Sequence, residues 1–432
     1  MTESGALEYA PVEPEPTPPR GAISIIFLIV LMDLFGFGVI IPLLPFYAKQ
    51  YAASDLQVGL LFSIYSACQL IATPILGMMS DRFGRRPILV FSQLGSVAGY
   101  LLLGITTYSH WSNPTLGLAL VYVSRVIDGI SGGNISTAQA YVSDVTTKRD
   151  RARAMGKLGA AFGIGFSLGP FVGGLLGGIN VSYPAFAAAL FSLIAAVQTF
   201  IRLPESRRHI ATASESWMHP RKFLPILRSS TLVQMLLISF ISMIAFVMME
   251  STFALFLKDT YSFNPREVGY FFGLAGLVII TVQGGLIGRL TKAFGEWPLA
   301  ITGPVLVSCA MFTYVQAGFY PSVLLLIAGG LLNASGRSLQ MPTLSTLISH
   351  EADPRQQGTV FGLYHGLSSF GRVIGPLIAT GIYAAHRPWP PFAVAGSIMA
   401  CIALWSVGLR IQTSRVPVTF AVAAPAAQPA AE

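Results

Sequence analysis

Long apolar runs separated by short polar stretches dominate the chain. A helix needs about 20 mostly apolar residues to cross the hydrocarbon core of a bilayer. Twelve runs reach that length, near 22–46, 56–79, 88–108, 116–143, 154–178, 182–203, 230–257, 267–290, 297–317, 321–349, 357–385 and 389–411. The longest polar interval, 204–229, holds Arg207, Arg208, His209, Glu215, Arg221 and Lys222 and divides the runs six and six. The pattern predicts an all-α membrane protein of twelve transmembrane helices. A six-helix bundle occupies 21–203, a cytoplasmic linker 204–229, and a second six-helix bundle 230–411. Residues 1–20, rich in Pro, Glu and Thr, read as a disordered tail, as does 412–432, Ala/Pro-rich from 416 onward. The first 20 residues lack the charged start and apolar centre of a signal peptide.

Charge then fixes an orientation. Lysine and arginine are retained on the cytoplasmic side of membrane proteins. Of the 27 basic residues, 20 fall in the tails, the linker and the even-numbered loops, among them Arg20, Arg82, Arg85, Arg86, Lys148, Arg149, Lys157, Arg228, Arg289 and Arg355. The opposite side has four: Lys49, Lys258, Arg266 and Arg387. Both termini are therefore expected in the cytoplasm, and the protein in the plasma (inner) membrane as a multi-pass monomer. Only 11% of residues are charged and 53% are hydrophobic, against about 25% charged in globular domains. The net charge of +8 sits in loops between apolar runs, which argues against nucleic acid as a partner. Cys68, Cys309 and Cys401 each stand alone in an apolar run and read as small buried hydrophobes.

The halves echo one another. Gly156, Gly165, Gly169 and Pro170 in the fifth run recur as Gly362, Gly371, Gly375 and Pro376 in the eleventh, each 206 residues on. Gly77, Phe83, Gly84 and Pro87 recur 211 residues on as Gly288, Phe294, Gly295 and Pro298. A duplicated six-helix unit is the footprint of a rocking transporter whose binding site lies between the repeats.

Between the second and third runs stands Gly77-x3-Asp81-Arg82-x-Gly84-Arg85-Arg86. The tight turn requires a backbone shape that glycine adopts freely. Asp81, at a helix end, is placed to accept from an arginine or from a neighbouring helix N-terminus, a contact that holds the halves closed on the inner side. The full pattern resembles the signature loop of the major facilitator superfamily. Gly36-x5-Pro42-x2-Pro45, Arg125-x2-Asp128-Gly129-x-Ser131-Gly132 and Gly165-x3-Gly169-Pro170-x2-Gly173-Gly174 agree with it. The last is similar to the antiporter motif of drug/proton exchangers. Its glycines give a smooth surface for close helix approach, and Pro170 bends the helix. The resemblance covers about 22–411. Asp33, Leu203-Pro204-Glu205-Ser206 and Arg355-x2-Gly358 are similar to the tetracycline/proton antiporters and their multidrug relatives. Gly99 stands where tetracycline pumps carry an acid in helix 3, and 298–317 holds no acid, so the multidrug branch fits better than tetracycline itself.

Ionisable groups inside spans cost about 2.5–3.5 kcal/mol each on insertion scales, so each one requires a reason. A proton-coupled exporter needs a buried carboxyl whose proton affinity changes with its surroundings. Glu250, with no basic neighbour in its own run, is the first candidate, and Asp33 the second. A protonated Glu250 tying two helices is its other reading. Arg125 and Asp128, three apart on one helix face, are either a permanent ion pair or a proton-responsive one. Arg337 and Arg372 either bind an anionic group or balance Asp33 and Glu250. His365 is either a proton relay or a wall residue beside Tyr364. Phe35, Phe37, Gln139, Phe253 and Tyr364 are candidate pocket residues, suited to amphipathic small molecules.

These readings predict a secondary transporter, without cofactor or metal, that exchanges protons for drugs or other amphiphiles. A proton-coupled uptake permease for a sugar or organic acid is the alternative. No Walker loop, metal cluster or nucleophile–base pairing occurs in the sequence, so ATP-driven transport and catalysis lack their parts.

Overall fold

The computed structural model describes residues 22–109, 111–206, 226, 228–353, 356–385 and 388–415. Its framework is twelve long helices: α1 (Ala22–Lys49), α2 (Asp55–Phe83), α3 (Arg85–Tyr108), α4 (Pro114–Val145), α5 (Lys148–Gly177), α6 (Tyr183–Arg202), α7 (Ser230–Tyr261), α8 (Pro265–Phe294), α9 (Glu296–Phe319), α10 (Val323–Glu351), α11 (Gln357–Ala385) and α12 (Pro390–Arg415). Among the described residues there is no strand. Ten of these helices are long and apolar enough to cross a membrane. The other two, α10 and α11, are as long but carry Arg337, Gln340, His365 and Arg372, which lower their hydropathy. The predicted runs therefore become the twelve helices, with ends shifted by a few residues. The last helix continues to Arg415, past the expected end at 411, so 412–415 belong to it.

Local chemistry sets many helix starts. Ser54 and Gln57 form a reciprocal capping box at the start of α2, and Asn264 and Glu267 form another at the start of α8. These are the helices that the 211-residue repeat relates. The turns after them share a second feature, because Gly84 and Gly295 both have positive φ, at 99° and 79°. Three helices are interrupted. Pro42 lies in a 3₁₀ turn of α1 at Ile41–Leu43, Gly132–Asn134 form another in α4, and Val282–Leu286 form a π turn in α8.

Packing follows the duplication. Within the first half α1 packs on α5 and α6, α3 on α4 and α6, and α2 on α4. Within the second half α7 packs on α11 and α12, α9 on α10 and α12, and α8 on α10. Each pairing in one half has its counterpart six helices later. The halves meet mainly along α5–α8 and α2–α11, two seams that the pseudo-two-fold exchanges.

Both seams are tight at one end and open at the other. A Cβ on Gly174 would lie 2.3 Å from the Gly269 Cα, and one on Gly59 would lie 2.9 Å from the Pro376 carbonyl. Ser63 donates to the Val373 carbonyl at 2.7 Å, closing the second seam beside Gly59. At the other end, Cβ atoms on Gly156, Gly159, Gly284, Gly285, Gly288, Gly358, Gly362 and Gly366 would meet nothing within 4 Å. No residue of α8 from 282 to 294 is buried. The open end is the one carrying the start of α1, the end of α12 and the α2–α3 turn.

The cysteines differ from expectation. Cys68 is half-buried, while Cys309 and Cys401 are exposed on the outside of the bundle, because α9 and α12 turn an apolar face outward where a thiol needs no cover. The expected tails and the residues Arg20, Arg207, Arg208, His209, Glu215, Arg221, Lys222, Arg355 and Arg387 lie outside the described residues.

Candidate functional site

The tight ends of the seams form the roof of a cavity between the halves. It is lined by Phe37, Ile41 and Leu44 of α1, Phe62, Tyr65 and Ser66 of α2, and Arg125 of α4. Phe166 of α5, Phe246, Val247 and Glu250 of α7 and Arg372 of α11 complete it. Four residues singled out from the sequence thus meet here: Phe37, Arg125, Glu250 and Arg372. The enclosed part measures about 50 Å³, room for a few water molecules. A drug-sized ligand needs about 300 Å³ or more, so it would have to widen the cavity toward the open end.

The charges fall into three groups. Arg125 and Asp128 form an ion pair of 3.0 Å, with side chains 1% and 2% exposed. The guanidinium also faces the rings of Tyr100, at 5.6 Å, and Tyr65, at 6.0 Å. Its Nε and Nη2 have no hydrogen-bond partner among the described residues. Gly99 packs onto this pair: a Cβ there would lie 3.2 Å from the Asp128 Cβ. The Ser124 carbonyl and the Asp128 backbone and side chain fill the space beside Gly99.

Asp33 forms the second group. Its Oδ2 accepts from the Asn134 side-chain amide at 2.7 Å. Asn134 ends the 3₁₀ turn of α4, and it was not singled out from the sequence. The only available signal was its place in Ser-Gly-Gly-Asn, a weak stretch of helix next to the Arg125 motif.

The third group surrounds Glu250. No basic residue flanks it within α7, yet Arg372 of α11 and Arg337 of α10 both lie within electrostatic reach. Arg337 also lies 3.5 Å above the centre of the Phe246 ring and points a nitrogen at Met243 Sδ at 3.9 Å. The carboxylate within electrostatic reach of both arginines is Glu250.

Of the remaining pocket candidates, Tyr364 lies within electrostatic reach of Arg337 and Arg372, and the others lie elsewhere. Phe253, 1% exposed, is packed inside the second half against Phe256, Phe271, Phe272, Tyr314 and Phe392. Its helix turns it toward α8, α9 and α12, away from the cavity. Phe35 stacks edge-on against Phe191. Tyr364 is buried against Phe361 and His365, the latter with an exposed side chain. Gln139 is half-buried on α4 beyond the cavity.

The glycine motif of α5 has two faces. Gly165, Gly169 and Gly173 press on Leu34, Gly38 and Val39 of α1, whereas Gly174 presses on Gly269 of α8. The motif therefore joins the helix bearing Asp33 to the seam between halves.

The α2–α3 turn makes a network inside the first half. Asp81 and Arg85 pair at 2.7 Å, and Arg85 Nε reaches Asp144 of α4 at 3.1 Å. Glu205, from the Pro-Glu-Ser stretch after α6, accepts from the backbone N–H groups of Arg85 and Arg86 at 2.9 and 3.1 Å. This carboxylate caps α3 from the segment that follows α6, where the free N–H groups and the helix dipole favour a negative charge. Gly84 leaves room for it, since a Cβ there would lie 2.6 Å from Glu205 Oε2. Arg86 donates to the Phe200 carbonyl and lies over the Phe200 ring. Arg82 lies over Phe83, 5.4 Å from its ring centre, and Gly77 faces Ser136 of α4.

Known proteins share this architecture. The profile of the Major Facilitator Superfamily matches residues 26–376 and 286–429. The class C tetracycline resistance protein of Escherichia coli is 30% identical over 379 residues, covering 85% of this chain and 90% of that protein. Multidrug resistance protein 2 of Bacillus subtilis (strain 168) is 31% identical, covering 87% and 92%. The crystal structure of the human organic anion transporter MFSD10 superposes with a TM-score of 0.67 at 25% identity, over 90% of this chain and all of that one. Signature loop, duplicated bundles and profile coincide over nearly the whole membrane region, and the chain belongs to the major facilitator superfamily of membrane transporters.

Proposed function

We propose that the chain is a proton-coupled antiporter that exports drugs or other amphipathic small molecules across the plasma (inner) membrane by alternating access. The observation that carries this reading is a cavity roofed at one end only, with carboxyl groups on α1, α4 and α7 set in or beside it. The relatives named for tetracycline and multidrug resistance support the cargo class. The basic loops at the open end support a cytoplasm-facing state with cytoplasmic termini. The halves divide at the 204–229 linker and rock about the α5–α8 and α2–α11 seams.

Among the acids, Asp33 is the best placed to carry the proton. Glu250 has two guanidiniums within electrostatic reach and Asp128 is paired with one. The hydrogen-bonding partner of Asp33 is a neutral amide. With a proton on Asp33 the empty cavity can close without an uncompensated charge, and cargo loads when that proton has left. Everted membrane vesicles test the exchange. Adding an amphipathic fluorescent drug should release protons and the imposed gradient should concentrate the drug, while Asp33→Asn abolishes both. Gradient-driven accumulation that survives Asp33→Asn, Asp128→Asn and Glu250→Gln together excludes this mechanism.

A further inference from the structure

Arginine is costly inside a membrane, and the cavity carries more of it than the exchange of a proton requires. Arg125 has one carboxylate partner and two nitrogens without any, although its side chain is 1% exposed and lines the cavity. Arg372 lines the same cavity, and its carboxylate neighbour is Glu250 on the facing helix. Tyr65 stands within electrostatic reach of both arginines. Arg337 supplies a second cation to Glu250 and is itself stacked on Phe246. The remaining lining is aromatic or aliphatic, apart from Ser66 and Tyr65.

Such a site has a definite preference. A guanidinium presents a planar fork of donors that matches an oxyanion. Buried donors left open are expensive unless a ligand fills them. We propose that the cavity recognises cargo through an anionic oxygen group, a carboxylate or acidic enol on an aromatic or aliphatic body, which takes the place of Glu250 beside Arg372 and engages the open donors of Arg125. Glu250 is then the internal counter-ion of the empty site. Phe37, Phe62, Phe166 and Phe246 hold the apolar body.

The inference rests on the cavity being the cargo site and concerns binding alone, so it is tested without a gradient. The full chain in lipid nanodiscs is titrated with a fluorescent arylcarboxylate, its uncharged carboxamide and the matching amine. The acid should bind at least tenfold more tightly than either analogue. Arg372→Gln should erase that preference while amide binding persists, which also shows that the variant is folded. Glu250→Gln should tighten acid binding severalfold and leave the amide unchanged, since it removes the competitor. Equal affinity for acid and amide in the unsubstituted protein overturns the proposal, as does an acid preference that survives Arg372→Gln. A chain that prefers the acid but releases no protons in vesicles overturns the exchange mechanism and leaves this inference standing. If none of the three probes binds, this inference falls, and the exchange mechanism is judged by the vesicle measurement alone.

Discussion

Asn134 donates to Asp33 at 2.7 Å, linking the 3₁₀ break of α4 to the single acid of α1. The two residues are 101 positions apart. The Arg125–Asp128 pair lies on the same α4 helix just before that break. The bond thus ties Asp33 to the helix that carries the buried arginine, while Gly169 and Gly174 of α5 pack on α1 and on α8 at the seam.

Removing the amide should impair exchange without dismantling the fold. A hydrogen bond to a charged group contributes about 1.5–3 kcal/mol, so Asn134→Leu should slow gradient-driven efflux by roughly 10- to 100-fold. Asn134→Gln should retain part of the activity. Efflux of a fluorescent drug from intact cells, with expression matched by immunoblot, measures this. Full activity in the leucine variant would detach Asp33 from the cycle.

Breaking the Arg125–Asp128 pair from one side leaves a charge buried alone, a loss of about 3–5 kcal/mol. Arg125→Leu or Asp128→Leu should therefore lower the thermal midpoint sharply. The double variant should recover much of it. If the double variant also transports normally, the pair is only structural. If it folds but does not transport, the pair responds to protons or cargo.

At the α2–α3 turn, Gly84→Ala meets two obstacles, a φ of 99° and the Glu205 carboxylate. Strained backbone of this kind costs on the order of 1–3 kcal/mol. Glu205→Ala should cost about 1 kcal/mol through loss of the α3 cap. Because both act on the same cap, the two substitutions together should fall short of additive. Thermal unfolding of all three variants decides it, with strict additivity counting against a shared cap.

A methyl group at the seam should change the resting state. Gly174→Ala places a Cβ against the Gly269 backbone and must part α5 from α8. In a background where Cys68, Cys309 and Cys401 are replaced by serine, Phe62→Cys reports on the cavity. With Gly174→Ala added, an impermeant thiol reagent applied from the roofed side should label it several times faster. Unchanged labelling would mean that the roof is held elsewhere.

The helices and their pairing by repeat were legible because lipid demands long uninterrupted apolar runs, and duplication preserves spacing. The turn glycine Gly84 was legible for a similar local reason. The partners were not. Asp33 with Asn134, Arg85 with Glu205, and Glu250 with Arg372 join helices that are distant in the chain, and nothing in helical periodicity aligns one helix with another. Phe253 illustrates the reverse error. An aromatic residue suited to amphipathic molecules suggested a pocket, but its direction depended on the neighbours of α7, which fill that side with rings. The π turn at Val282–Leu286 left only the pair Gly284-Gly285 as a trace.

The roof of the cavity closes where Gly174 meets the Gly269 backbone, and where Gly59 meets the Thr380 hydroxyl and the Pro376 carbonyl. The Gly174–Gly269 contact, backbone on backbone, has no rotamers to freeze or release, so it can part and re-form with little entropic penalty. It also inverts the usual tolerance to mutation. The aromatic wall can exchange one large residue for another and so drift toward new compounds, while the joint has no room for a single methyl group. Variants selected for a wider range of cargo should therefore collect their substitutions around Phe37, Phe62, Phe166 and Phe246 and leave these glycines alone.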